Sequence, residues 1–222
     1  MKFNRTQCVQ VYTLYLDMIR QHHLLIAGAT GSGKSVLVHQ LLHTALTVST
    51  PGLILIDCKR IELTRYRSYK HTIVYADTPD TAVQALETAC DYMDNRYIAM
   101  QKRGLREWQQ ADIYVVIDEL ADLMTTSKKR VQPLIQRLTQ LGRAAHIHII
   151  ACTQCPLREI IPTAIKCNFD SRIALRTATR QDSRNIIDTP GAETLPNPAT
   201  EHRAQGIYKH GVSLDLVTLP TY

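Results

Sequence analysis

One short segment, GATGSGKS at residues 28–35, constrains this chain more than any other. It matches the pattern G-x-x-x-x-G-K-S, follows the apolar run HLLIAG directly, and precedes a stretch at 35–47 that favours a helix. In such a turn, backbone N–H groups point inward and, with the N-terminus of the following helix, form a site for phosphate groups. The motif therefore predicts a phosphate loop between a buried strand and a helix.

The motif assigns a role to individual side chains. Lys34 would reach the β and γ phosphates of a nucleoside triphosphate, and the Ser35 hydroxyl would ligate Mg²⁺, so ATP and Mg²⁺ are the predicted cofactors. The predicted nucleotide-binding residues are Gly28, Ala29, Thr30, Gly31, Ser32, Gly33, Lys34, Ser35 and Val36.

Short apolar runs and amphipathic stretches alternate along the chain. The runs at 23–28, 53–57, 113–118, 147–152 and 172–176 are continuously apolar, which is typical of strands buried on both faces. The stretches at 35–47, 81–103 and 130–141 have helical periodicity, and Gly104 is placed to end the second of them. This alternation predicts an α/β fold with a mostly parallel central sheet and helices on both faces.

The chain shows no internal repeat and no linker, so we expect one domain over residues 1–222, with a lead-in at 1–21. A proline-rich loop at 188–203 precedes a predicted hairpin, whose strands at 206–208 and 212–217 flank a turn at His210 and Gly211. No apolar stretch approaches the roughly 20 residues of a membrane span, and no secretory signal is present. We therefore expect a cytoplasmic protein without a membrane segment.

In a cytoplasmic protein we expect the six cysteines to be reduced thiols. Cys152 and Cys155 form a lone C-x-x-C, and Cys167 with His146 and His148 would complete only a loosely spaced zinc site. Buried, reduced cysteine is the commoner explanation.

Two carboxylates, Asp118 and Glu119, end the apolar strand IYVVI, where a phosphate-loop enzyme needs an acid near the metal. Asp118 would hold Mg²⁺, and Glu119 would accept a proton from the attacking water. Acids that complement the dipole of a following helix are the alternative. Gln154, at the end of a further strand, could sense the γ-phosphate or could be an ordinary surface residue.

Charge is unevenly distributed. Residues 128–184 hold eleven Lys or Arg side chains against three Asp or Glu, whereas the whole chain has a net charge of +6. A basic surplus confined to one segment indicates a polyanion partner such as nucleic acid, or else a solvated basic face.

Together these segments resemble the FtsK/SpoIIIE family of RecA-like P-loop ATPases, in the HerA/FtsK branch. The resemblance covers about residues 17–217 and rests on HHLLIAGATGSGKS, LILIDCKRIEL, MDNRYIAM, YVVIDELADLM, LGRAAHIHIIACTQ, DSRIAL and DSRNIIDTPGAETL. It implies a RecA-like fold and a hexameric ring that hydrolyses ATP while translocating double-stranded DNA, contacted through phosphates without sequence preference.

The resemblance also implies roles for residues outside the phosphate loop. Arg143 would act as a finger on the neighbouring subunit's nucleotide, unless it pairs with an acid such as Asp122 in its own chain. The contacts to DNA would be made by Thr153, Lys166, Arg180 and Arg184.

Two cysteines depart from the family pattern. Cys58 stands in I-D-C-K where proline is usual, and Cys155 replaces an arginine, a loss for which Arg158 could compensate. We expect a minimal, stand-alone motor core such as phages, plasmids and integrative elements carry. A viral genome-packaging ATPase and a poorly hydrolysing assembly module remain alternatives, the second disfavoured because Lys34, Asp118, Glu119 and Arg143 are all present.

Overall fold

The computed structural model of the chain describes residues 23–157, 159–202 and 204–219. Eight strands form one sheet in the order β3-β2-β4-β5-β1-β6-β7-β8. The strands are β1 (His23–Ala27), β2 (Gly52–Ile56), β3 (Thr72–Ala76), β4 (Ile113–Ile117), β5 (Ile147–Thr153), β6 (Ser171–Leu175), β7 (Gln205–His210) and β8 (Ser213–Thr218).

The first six strands run parallel, and β7 and β8 form an antiparallel hairpin at one edge. The predicted mostly parallel sheet with a C-terminal hairpin is therefore confirmed. The predicted lead-in and Arg158 lie outside the described residues.

Seven helices accompany the described strands. They are α1 (Lys34–Val48), α2 (Pro79–Arg103), α3 (Leu120–Thr126), α4 (Lys128–Leu141), α5 (Thr163–Lys166), α6 (Arg180–Ile187) and α7 (Pro198–Glu201). Helix α2 begins after Thr78, whose hydroxyl accepts from the backbone N–H of Thr81, and ends at Gly104 in a left-handed conformation, as predicted. No helix in the described part of the chain is long and apolar enough to span a bilayer.

Alternate residues of the central strands supply two apolar cores. In β1, Leu25 and Ala27 pack on the side covered by α2, α3 and α4, whereas Leu24 and Ile26 pack on the side covered by α1. These side chains are almost fully buried on both faces. The sheet is therefore a rigid platform, and the loops at the carboxyl ends of its parallel strands can carry a binding site.

Strand β3 and helices α5, α6 and α7 were not predicted. Strand β3 is a half-buried edge strand that follows a charged segment, so its five residues carry little periodic signal. Helix α6 has only eight residues, but its start has the pattern T-x-x-D, and Thr179 and Asp182 form a reciprocal capping box. The T-x-x-D pattern is the sequence signal from which the start of α6 could have been predicted. The loop at 188–203 contains a short 3₁₀ turn at Ala192–Thr194 and the four-residue α7.

Candidate nucleotide-binding site

The phosphate loop joins β1 to α1, and its backbone shape requires glycine. Gly31 and Gly33 have φ angles of 73° and 98°, in the left-handed region that disfavours side chains. A Cβ on Gly28 would lie 2.5 Å from Ser32 Oγ and 2.9 Å from Leu175 Cβ. The loop therefore keeps an open, backbone-lined cradle at the N-terminus of α1, and this cradle has the form that phosphate groups need.

Lys34 folds back over this cradle. Its Nζ donates to the carbonyl oxygens of Gly28, at 2.6 Å, and Ala29, at 3.0 Å. Burial lowers the pKa of Lys34, while the nearby acids Glu119 and Asp118 oppose that shift. The lysine is thus held at the loop by two neutral acceptors, and a phosphate group would supply a stronger, charged partner.

A cavity of about 410 Å³ opens beside the loop. It brings most of the predicted nucleotide residues together with Asp118 and Gln154. Its lining consists of Thr30, Gly31, Gly33, Lys34, Ser35, Val36, Lys59, Ile61, Glu62, Asp118 and Gln154. Lys59, Ile61 and Glu62 come from the segment after β2 and were not predicted as site residues.

Acidic side chains crowd one wall of the cavity. Burial raises the pKa of Asp118 to about 6, and the charges of Asp57 and Glu62 add to the effect. Asp57 is fully buried, and its Oδ2 accepts the backbone N–H of Leu63 at 2.9 Å. Acids that disfavour each other's charge are what a divalent cation stabilises, so Asp118 and Ser35 fit the role of metal ligands.

Glu119 lies beside Asp118, and its carboxylate is fully engaged. Gln154 N–H lies 3.1 Å from both Glu119 carboxylate oxygens, and Ala121 N–H donates to Oε1 at 3.3 Å. Lys59 Nζ is 3.8 Å from Oε2. Glu119 thus caps α3, as the alternative explanation proposes, and also lies at the edge of the sheet that carries the phosphate loop.

Gln154 contacts both the phosphate loop and Glu119. Its backbone N–H holds Glu119, and its side-chain Oε1 accepts a 2.7 Å hydrogen bond from the Thr30 hydroxyl in the phosphate loop. Gln154 is therefore in place to respond both to the nucleotide and to the proposed general base.

Arg143 lies elsewhere, in the turn between α4 and β5. Arg143 precedes the amino end of β5, whereas the phosphate loop follows the carboxyl end of β1. Because β1 and β5 run parallel, the two lie at opposite ends of the strands. The Arg143 side chain is exposed, and Asp122 is paired with Lys59 at 3.4 Å. No ion pair of Arg143 occurs within the described ranges, so its own chain offers it neither the nucleotide nor the expected acidic partner there.

Comparison with known proteins shows the family. The profile of the FtsK/SpoIIIE family matches residues 9–114 and 107–158. The chain belongs to the FtsK/SpoIIIE family. Among similar curated proteins, the DNA translocase FtsK of Chlorobaculum tepidum is 40% identical over 203 residues, covering 81% of this chain and 25% of that protein. The same-named protein of Staphylococcus aureus strain Mu50 is 41% identical over 196 residues, or 78% of this chain and 25% of that protein.

Solved structures support the fold of this FtsK/SpoIIIE family member. The conjugation coupling protein TcpA of pCW3, bound to ATPγS, matches with a TM-score of 0.78 at 25% identity, covering 93% of this chain and 61% of that one. The genome packaging NTPase B204 of Sulfolobus turreted icosahedral virus 2 matches with a TM-score of 0.59 at 17% identity, covering 91% and 98%. The chain spans about a quarter of the length of the curated relatives named above.

The four residues expected to contact DNA have different surroundings. Thr153 is fully buried at the end of β5, where its Oγ1 accepts the backbone N–H of Cys155. Lys166 Nζ donates to Asp188 Oδ1 at 2.7 Å and to Asn185 O at 2.9 Å.

The other two residues lie one turn apart in α6. The Arg184 side chain is exposed, and that of Arg180 is 73% exposed, with its Nε 3.3 Å from Glu193 Oε1. Of the four, these two arginines therefore present their charge most openly.

The loosely spaced zinc ligands do not come together. Cys152 and Cys155 lie at the end of β5, whereas His146 and His148 lie near its start and both contact Asp112 Oδ1, at 3.0 and 3.3 Å. In the part of the chain that the structure describes, no group of three or more His, Cys, Asp or Glu residues could hold a metal ion.

Proposed function

We propose that this chain is an ATP-driven motor that hydrolyses ATP and moves along double-stranded DNA. The observation that carries the proposal is the single cavity in which the phosphate loop, Asp118 and Gln154 meet beside Glu119. Membership of a family whose relatives include DNA translocases supplies the substrate class.

Each group in the cavity then has a task. The loop N–H groups and Lys34 bind the phosphates, and Ser35 and Asp118 would hold Mg²⁺, which neutralises phosphate charge when bound. Gln154 orients the γ-phosphate end of the site through its contact with Thr30. Glu119 accepts the proton of the attacking water, and burial of its side chain to 7% exposure keeps bulk water from competing.

We propose that Arg143 completes the site of a neighbouring copy in a ring, for which we favour six subunits. Its position at the edge opposite its own phosphate loop supports action across an interface. A finger supplied in trans contributes about 10³ to 10⁵ in rate in other phosphate-loop enzymes. Isolated subunits should therefore hydrolyse ATP slowly, and turnover should rise more than linearly with protein concentration.

Mixing two inactive variants tests this assembly. Arg143→Ala keeps an intact phosphate loop, and Lys34→Ala keeps an intact finger, so mixed rings contain complete interfaces. We expect activity to recover on mixing. If mixed rings form and no activity returns, Arg143 does not act across the interface.

For DNA, we propose contacts from Arg180, Arg184, Lys166 and Thr153 to phosphates, without preference for sequence. The exposed guanidinium groups of the first two support this. Lys166 would first have to leave Asp188, and Thr153 could contribute only through its backbone or after rearrangement, since its side chain is buried. We also propose a cytoplasmic location, where ATP and DNA are both available.

The deciding experiment is an ATPase assay with and without duplexes long enough to thread a ring. We expect Mg²⁺-dependent hydrolysis that duplex DNA stimulates and that Lys34→Ala abolishes. If the chain hydrolyses ATP but no duplex stimulates it at low salt, the chain is a nucleotide hydrolase and not a DNA motor.

A further inference from the structure

Lys59 occupies a position that the proposed function does not use. It follows β2 in the segment I-D-C-K, and its Nζ lies 3.4 Å from Asp122 Oδ2 and 3.8 Å from Glu119 Oε2. Its side chain is 41% exposed and also lines the cavity beside the phosphate loop. A flexible cation thus lies between the proposed general base and the space for the phosphates.

Three donor groups surround the carboxylate of Glu119. Its carboxylate accepts the backbone N–H groups of Gln154 and Ala121, and the ammonium of Lys59 lies 3.8 Å from its Oε2. Lys59 is therefore the one of these three groups that belongs to a long, mobile side chain. The two backbone donors are fixed by β5 and α3, whereas Lys59 has a flexible side chain with partial access to solvent.

A bound triphosphate changes the balance of charge around Lys59. It brings negative charge, which bound Mg²⁺ only partly neutralises, into a cavity that Lys59 already borders, and charge-assisted contacts to phosphate are strong. Lys34 and Lys59 line the same cavity. Lys59 is therefore within reach of the region where Lys34 would meet the β and γ phosphates.

We propose that Lys59 is a positioning residue that moves between two partners. In its resting position it contacts Glu119 and Asp122, and with a γ-phosphate in the cavity it moves to that phosphate and leaves the Glu119 carboxylate open to the attacking water. This inference rests on the proposed function, because it requires the cavity to bind a nucleoside triphosphate. Lys59 thus leaves the carboxylate only when a nucleotide with a third phosphate is bound.

Nucleotide affinities of the full chain, measured with Mg²⁺ by calorimetry, test whether Lys59 contacts the γ-phosphate. Lys59→Met keeps the length of the side chain and removes its charge. We expect binding of ATPγS to weaken about tenfold or more, while ADP binding changes less than about twofold, because only ATPγS carries the third phosphate. Lys59→Arg should restore most of the preference for ATPγS, and Lys59→Gln replaces the methionine variant if that variant misfolds.

Asp122→Asn tests whether Asp122 holds Lys59 in its resting position. It weakens the resting position of Lys59 without altering the phosphate loop, so moving to the nucleotide costs less. We expect ATPγS affinity to rise about two- to fivefold, the range of an exposed ion pair, with ADP affinity unchanged. In the Lys59→Met background this gain should vanish, because no cation remains to move. A purely structural role for either residue predicts no such dependence.

The outcomes separate the two proposals. If the unaltered chain binds neither ATPγS nor ADP, or if Lys34→Ala leaves both affinities intact, the nucleotide site itself is wrong. If the unaltered chain binds both and Lys59→Met changes the two affinities equally or not at all, the movement of Lys59 is wrong and the proposed function stands. A gain in Asp122→Asn that persists without Lys59 also overturns the inference.

Discussion

Replacing Asp118 by asparagine should stabilise the nucleotide-free protein while abolishing its chemistry. Burial raises the pKa of Asp118 from an ordinary value of 3.8 to about 6, with the charges of Asp57 and Glu62 adding to the shift. The ionised carboxylate is therefore a net cost to the folded state at neutral pH. An asparagine side chain has nearly the same shape and no charge, so Asp118→Asn removes that cost.

The magnitude follows from the shift. Two pKa units correspond to about 3 kcal/mol, and partial exposure of the side chain reduces this to about 1–3 kcal/mol. Between the unfolded and folded pKa values the folded chain binds more protons than the unfolded chain, so the stability of the unaltered protein falls as pH rises through this window. The advantage of Asp118→Asn should thus reach its plateau above about pH 6, and about half of it should be lost by pH 5.

Urea unfolding of both proteins at several pH values between about 5 and 8, without nucleotide or metal, measures this difference. Asp122→Asn is the matched control, since it removes an exposed carboxylate from the same region and should give a small change. Saturating ATP with Mg²⁺ should reverse the order of stability, because Asp118 would hold the metal. An Asp118→Asn protein that is no more stable at about pH 8, or whose advantage does not change with pH, would refute the reasoning.

Three further predictions concern other parts of the molecule. Glu119→Gln should retain nucleotide binding and the cap on α3, because an acceptor oxygen remains, but should slow hydrolysis by about 10² to 10⁴ in a steady-state assay. Gly142→Ala should destabilise the chain by about 1–3 kcal/mol in urea unfolding, since its Cβ would lie 2.5 Å from Leu138 O and 2.6 Å from Ile147 O; an unchanged midpoint contradicts this. Arg180→Ala should weaken binding to unrelated duplexes equally and should lower the salt dependence by about one phosphate contact in a titration, whereas a loss confined to one sequence would contradict phosphate recognition.

Local sequence determined the elements that carry the strongest part of the site. The phosphate loop, the strand before it and the helix after it were predicted together, because a glycine-rich turn between a buried strand and a helix has few other uses. Asp118 and Glu119 were placed at a strand end for the same reason, since a continuous apolar run ends where polar residues begin. Strand β3 was missed because an edge strand needs little apolar sequence.

Contacts between distant segments were decided by the tertiary structure alone. Lys59 reaches Glu119 and Asp122 because β2 lies beside β4 in the sheet, and the periodicity of the sequence does not encode strand order. The partners of the basic residues near α6 likewise depend on how distant segments pack together.

Asp188 shows this most clearly. In sequence it belongs to a proline-rich loop, but it ends α6 in a left-handed conformation with φ of 64°. Its carboxylate meets Lys166 at 2.7 Å, Arg172 at 2.9 Å and Lys209 at 2.7 Å. Sequence alone showed that the segment is rich in positive charge, but only the packing of α5, α6, β6 and β7 decides which of those charges an acid already neutralises, because a charge pair depends on distance in space and not along the chain.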